Sequence, residues 1–235
     1  MSTANKVCVV IPAYNEGSII KDVVKNIKSS LDKTSIIYEI VVVNDGSKDD
    51  TTAQAKLGGA KVIDHILNSG AGGATATGLS YANQNGFDFA VTMDADGQHL
   101  AKDVVNGIKN AQKTNVDLLI GSRLIDTKGM SKVKILGNKG LSVVTRILFG
   151  VNVTDSQSGL RIFSKKALAE LRWKTSGYEF CSEMLWRAKQ LNFNISEYPI
   201  KAVYTEYSKT KGQNNWNAIN IVKSLVKRRI VEIFE

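Results

Sequence analysis

Two carboxylates, Asp94 and Asp96, stand two residues apart directly after an apolar run, Phe87–Met93. In extended backbone residues i and i+2 point the same way, so both groups converge. Like charges that close repel unless a cation joins them. Hard divalent ions, Mg2+ or Mn2+, favour carboxylate oxygens and bind phosphates jointly. Gln98 continues the spacing with a neutral oxygen. Asp94 and Asp96, with Gln98 beside them, therefore read as a candidate divalent-metal site. A lone D-x-D occurs by chance; one that ends an apolar strand, with Asp45 at the end of another, is a stronger signal.

Other polar clusters fall at comparable places. Val7–Ile11 runs into Pro12-Ala13-Tyr14-Asn15-Glu16, and Ile36–Val43 into Asn44-Asp45-Gly46-Ser47. In a parallel sheet these clusters and the D-x-D would share one rim. Helix capping explains Asn44 and Ser47 equally well. Asn68-Ser69-Gly70-Ala71-Gly72-Gly73-Ala74 is a glycine-rich turn before a helix. It suits either a close backbone approach to phosphate or sugar, or a tight strand-to-helix connection. It matches neither the G-x-G-x-x-G nor the G-x-x-x-x-G-K-[ST] pattern. His65 and His99 look isolated, and nothing suggests histidine metal ligation.

The elements that must position these groups alternate. Apolar runs at Val7–Ile11, Ile36–Val43, Val62–Ile66, Phe87–Met93 and Val116–Ile120 read as strands, and the near-continuity of Ile36–Val43, broken only by Glu39, suggests cover on both faces. Helical patterns lie between them: Ser18–Leu31 with Ser18 as N-cap, Asp50–Leu57, Ala71–Asn85 and Leu100–Lys113. The alternation predicts an α/β fold, a mostly parallel central sheet flanked by helices. In such sheets ligands bind beyond the carboxyl ends of the strands. The second half is less regular: helices over Ile135–Phe149, Lys165–Leu171 and Glu179–Leu191, a polar segment Asp155–Phe163 leading into a strand, a strand over Ile195–Val203, and a last helix from about Trp216.

Charge divides along the chain. Residues 1–120 hold 11 Lys, no Arg and 13 acids; residues 121–235 hold 20 Lys plus Arg and 9 acids. All seven arginines, Arg123 and Arg161 among them, lie in the second half, and the planar guanidinium suits phosphate oxygens. A basic half calls for an anionic partner. The 235 residues are 43% apolar, enough for a substantial core, and the two cysteines exclude a disulfide framework. No secretory signal or membrane-spanning run is visible, so the expected location is the cytoplasm.

The segments IPAYNE, VVVNDGSKDDT, NSGAGGATATG, MDADGQH, GSR, DSQSGLRIF and GYEFCSEML, between Ile11 and Leu185, together resemble the inverting family-two glycosyltransferases of the GT-A fold, and within them the polyprenyl-phosphate and dolichyl-phosphate sugar synthases. The resemblance implies metal-dependent transfer of a hexose from a nucleotide sugar to a polyprenyl or dolichyl monophosphate, with GDP-mannose ahead of UDP-glucose and UDP-N-acetylglucosamine. It implies that Pro12, Tyr14, Glu16, Asp45, Gly46, Asn68, Gly73 and Asp94 bind the nucleotide sugar, and that Asp96, Arg123 and Arg161 are catalytic. It puts Asp155, Gln157, Ser158, Glu179, Lys209 and Lys211 on the acceptor side. Ala71 departs from the family, which usually carries Lys there. Residues 1–208 would form the catalytic domain and 209–235 a basic loop and amphipathic helix. That helix has an apolar stripe, Trp216, Ile219, Val222, Val226, Ile230 and Ile233, with Lys227 and Arg228 off it. It suits either a membrane interface or packing onto the core. The implied setting is peripheral association with the cytoplasmic face of a membrane, with or without a membrane partner subunit, and no nucleic acid. The alternative acceptor is a glycan hydroxyl, with Glu179 or Asp155 as base; a non-catalytic basic module would leave the D-x-D unexplained.

Overall fold

The computed structural model describes residues 5–203 and 215–234. The five apolar runs become β1 Lys6–Ala13, β2 Ile37–Asn44, β3 Lys61–Asp64, β4 Phe89–Thr92 and β5 Leu118–Ser122, and the second half adds β6 Arg161–Ser164 and β7 Ile195–Pro199. They form one seven-stranded sheet in the order β3-β2-β1-β4-β6-β5-β7. All pairings are parallel except those of β6, which runs antiparallel to β4 and to β5.

Eight helices connect and cover the sheet among the described residues: α1 Ile20–Leu31, α2 Thr51–Gly58, α3 Gly70–Gln84, α4 Ala101–Lys113, α5 Lys132–Phe149, α6 Lys165–Glu170, α7 Phe180–Gln190 and α8 Asn215–Phe234. Strand alternation splits the core in two. Val7, Val9 and Ile11 pack with α1 and α4; Cys8 and Val10 pack with α3, α5, α7 and α8. Burial on both faces is why these strands read as unbroken apolar runs.

Two local expectations are corrected. Ser18 is not the N-cap of α1: Ile19 takes that position, and the Glu16 carbonyl accepts the Ile19 and Ile20 amides at 3.0 and 2.9 Å. The strand read over Ile195–Val203 ends at Pro199, because its partner, β5, ends at Ser122, whose carbonyl takes a last bond from the Ile200 amide.

At α8, Ile221 and Leu225, which lie off the stripe, are buried in the core. On the stripe, Val222 is half-buried against that core and Val226 is exposed, whereas the side chains of Trp216, Ile219, Ile230 and Ile233 lie outside the described residues. Arg228 turns toward the buried Glu183 of α7, 3.5 Å away.

Candidate active site

One rim collects the chemistry because six strands point the same way. The ends of β1, β2, β4 and β5 deliver residues 12–16, 44–47, 94–99 and 121–123 there. The reversed β6 begins at that rim: Arg161 pairs with Thr92 of β4 and Ile120 of β5. Its leading loop, residues 154–160, therefore faces the D-x-D.

The D-x-D pair is held by its neighbours. His99 Nε2 lies 3.0 Å from Asp94 Oδ2, so His99 is not isolated. Asp96 accepts the Gln98 amide at 3.0 Å, and the Gln98 carbonyl accepts the Val203 amide. Asp94 is hemmed in yet 54% open to the cleft. Desolvation opposes its ionisation, but the His99 bond and the His99, Arg123 and Arg161 charges outweigh it and hold it below the usual carboxylate range. Burial, then the Asp94 charge, pushes Asp96 the opposite way. This is the unrelieved repulsion that a cation removes. Among the described residues no three His, Cys, Asp or Glu side chains cluster to enclose a metal. Two carboxylates fit a hard cation that completes its shell with water and substrate phosphate.

Arg123 and Asp155 form a two-pronged ion pair. Arg123 Nε and Nη2 donate to the Asp155 carboxylate at 2.7 and 2.9 Å, and its amide donates at 3.1 Å. Asp155 is fully buried. Burial opposes its charge, but Arg123 holds its carboxyl below the ordinary range. Glu197 of β7 grips the same loop, accepting the Thr154 and Asp155 amides. Gln157 donates to Ser156 and Ser182, and Ser158 is buried.

Arg161 departs from its expected contact with phosphate. It is 1% exposed, and its guanidinium donates to the carbonyls of Ser156, Ser158 and Cys181 and to Met184 Sδ. It is a positioning residue that ties the 156–158 loop to α7.

On the nucleotide side the β1 and β2 loops are bonded to each other: Asn15 N donates to Ser47, and Glu16 N to Thr51. Pro12 and Glu16 are half-buried, and Tyr14 is exposed. The Asp45 carboxylate, expected to meet base or ribose, accepts from Ser69 N and Oγ, Gly70 N and the His65 ring, all at 2.7–2.8 Å. Burial opposes its ionisation, but these bonds keep it below the usual range. Three of these bonds fall on Oδ1 and one on Oδ2, so Asp45 anchors the glycine-rich turn while Oδ2 keeps an acceptor site, and His65 is a partner in that network. Gly46, at φ +70°, lets Asn68 approach, and Asn68 donates to the Asp45 carbonyl at 3.1 Å. At Gly70 an added Cβ would overlap the Ser176 carbonyl, and at Gly73 the Ser69 hydroxyl. The glycines of this turn give close packing against the chain itself.

Three residues at the site were not singled out from the sequence as part of it. His99 orients Asp94. Tyr178 and Lys134 lie within electrostatic reach of the D-x-D: burial and then the Asp94 charge push the Tyr178 hydroxyl up, whereas burial and then Arg123 pull Lys134 down, against the opposing charge of Asp96. Glu179 sits at the N-cap of α7. Lys209 and Lys211 lie outside the described residues.

A model of glycosyl transferase family 2 matches residues 8–172. The chain belongs to this family. A UDP-N-acetylglucosamine–dolichyl-phosphate N-acetylglucosaminyltransferase of Methanococcus voltae is 40% identical over 249 residues, covering 96% of this chain and 97% of that protein. A polyprenol monophosphomannose synthase of Mycolicibacterium smegmatis is 28% identical, covering 88% of this chain and 81% of that one. Among solved structures, glucosyl-3-phosphoglycerate synthase of Mycobacterium tuberculosis, in complex with Mn2+, UDP-glucose and phosphoglyceric acid, matches with a TM-score of 0.70 at 22% identity, over 94% of this chain and 79% of that one. The protein is a glycosyltransferase, and its α/β fold is GT-A.

Proposed function

We propose that this glycosyltransferase moves a sugar from a nucleoside diphosphate onto a polyprenyl monophosphate at a membrane surface, with residues 1–208 as the catalytic domain. The observation that carries the reading is the arginine–carboxylate pair beside the D-x-D. Asp155, a candidate base for a hydroxyl acceptor, is buried, bonded to Arg123 and held ionised. A carboxyl kept below its ordinary range is a poor proton acceptor. A phosphate monoester, with a second pKa of about 6, is already anionic and needs no base.

The chain's residues then have distinct tasks. Asp94 and Asp96 would hold a divalent cation, Mg2+ or Mn2+, with Gln98 beside them. Such an ion neutralises charge on a departing diphosphate. His99 fixes the Asp94 carboxylate, a support that metal ligands commonly need. Arg123, aimed by Asp155, meets the acceptor phosphate; Lys134 and Tyr178 complete the cleft. An acceptor oxygen forms the bond to the anomeric carbon as the bond to the diphosphate breaks. The nucleoside diphosphate leaves with the electron pair, and a single displacement inverts the anomeric centre.

The donor we place first is UDP-N-acetylglucosamine rather than the GDP-mannose expected from the sequence. The Methanococcus relative named for it matches at 40% over nearly both chains, against 28% for the mannose synthase. Incubation with Mn2+ or Mg2+, polyprenyl phosphate and each labelled nucleotide sugar tests both choices. Labelled lipid from UDP-N-acetylglucosamine is the expected product. Label from GDP-mannose alone corrects the donor, and none from any donor refutes the reading.

A further inference from the structure

Helix α5 has two apolar faces where a surface helix has one. Leu141, Thr145 and Phe149 face inward. On the opposite side Val133, Leu136, Val143 and Ile147 are 64%, 75%, 44% and 74% exposed. At 3.6 residues per turn these four lie on one stripe with Gly137 and Gly140, and a Cβ added at either glycine would meet nothing within 4 Å. A contiguous apolar strip of this kind on a solvent face marks an interaction site.

The border of the strip says what covers it. Lys132, Lys139 and Arg146, seven residues apart, line one edge. Helix α5 contains no acid and, with Lys134, carries four positive charges. A second copy laid on the strip by two-fold symmetry would set these like charges against each other. Anionic headgroups beside acyl chains match both the apolar strip and its basic edge. The strip also starts at the site, because Lys134 in the first turn is within reach of Arg123 and Asp96.

We infer that the outward face of α5 seats the enzyme on an anionic lipid bilayer, at a place that lets an acceptor phosphate reach Arg123 while its tail stays in the membrane. The inference rests on the lipid-phosphate reading and gives the membrane-facing role to α5, against which α8 packs.

Co-sedimentation with vesicles of phosphatidylcholine, with and without phosphatidylglycerol, tests it. The full chain is expected to bind the anionic vesicles preferentially. Gly137→Glu places a charge in the strip where nothing is crowded and also favours the helix; it is expected to weaken binding about tenfold or more, with thermal midpoint and turnover on a short, water-soluble acceptor phosphate unchanged. Lys132→Gln, Lys139→Gln and Arg146→Gln together are expected to weaken anionic-vesicle binding roughly a hundredfold. Unchanged binding by Gly137→Glu overturns the inference. So does a wild-type dimer that this substitution dissociates in sedimentation velocity. If the wild type modifies neither soluble nor vesicle-borne acceptor, the functional reading fails, and vesicle binding still decides the surface.

Discussion

Gly159 lies so close to Asp94 that a Cβ on residue 159 would overlap both carboxylate oxygens. The acceptor-side loop and the metal-side strand end therefore meet with no room for a methyl group. Thr92 reinforces the junction by donating to the Gly159 carbonyl at 2.9 Å. Gly159→Ala is expected to displace the Asp94 carboxylate and lower turnover about a hundredfold or more. Because strand pairing on either side is untouched, the thermal midpoint should move by only a few degrees. Mn2+-dependent nucleotide binding, followed by calorimetry, reads the displacement directly.

Asp155→Asn tests the aim of Arg123. The amide keeps the shape but loses the charge that Arg123 grips through two nitrogens. Breaking a buried pair by removing one partner costs about 3 kcal/mol. Turnover should fall about a hundredfold while donor binding persists. Thermal unfolding and steady-state kinetics separate the two effects.

Arg161→Lys is predicted to act on stability first. The guanidinium bonds three carbonyls and one sulfur in a buried position, and an ammonium cannot reproduce its planar fork. A loss of about 2 kcal/mol is expected, seen as a lower denaturant midpoint without nucleotide. A variant of wild-type stability with weakened acceptor binding would return Arg161 to a phosphate contact.

His99→Ala removes the group that orients Asp94. Losses at such supporting positions weaken metal affinity about 10–100-fold. Activity should be recovered at higher Mn2+, whereas Asp94→Asn should not respond to added metal.

Acid sensitivity follows from three buried carboxyls. Asp45, Asp155 and Glu183 are each held below the ordinary range; hydrogen bonds outweigh burial at Asp45, and hydrogen bonds together with Arg123 or Arg228 outweigh it at Asp155 and Glu183. A folded value below the unfolded one means that the stabilisation is complete above the unfolded range, near pH 4. It is lost as pH falls through the lower folded values. The thermal midpoint should be flat above about pH 5 and fall below about pH 4. Asp155→Asn should be less stable at neutral pH and have a shallower acid limb.

The sequence read well wherever one residue type repeats for one physical reason. The run from Val7 is apolar throughout and that from Ile36 is broken only by Glu39, because both faces of β1 and β2 are covered, so strands and layers were legible. The D-x-D was legible because its spacing and place at a strand end suffice. Pairing across the fold was not. Nothing local in Arg161 says that it turns inward to three carbonyls, or in Asp155 that it meets Arg123 at a distance of 32 residues. The direction of β6, which brings the 154–160 loop to the rim, depends on which neighbours it joins. His99 and Lys134 gain their places only from partners that the fold supplies. The glycine-rich turn suited phosphate contact and tight packing equally, and the close packing came to light only in the fold, where Gly70 meets the Ser176 carbonyl and Gly73 the Ser69 hydroxyl.

In the proposed reaction the acceptor arrives already charged, so that no base is needed. The direct measurement compares transfer from a labelled nucleotide sugar, at fixed Mn2+, to a polyprenyl monophosphate and to the polyprenyl alcohol of the same length. The expected result is labelled lipid from the monophosphate only. Equal transfer to the alcohol, lost in Glu179→Gln, would contradict it.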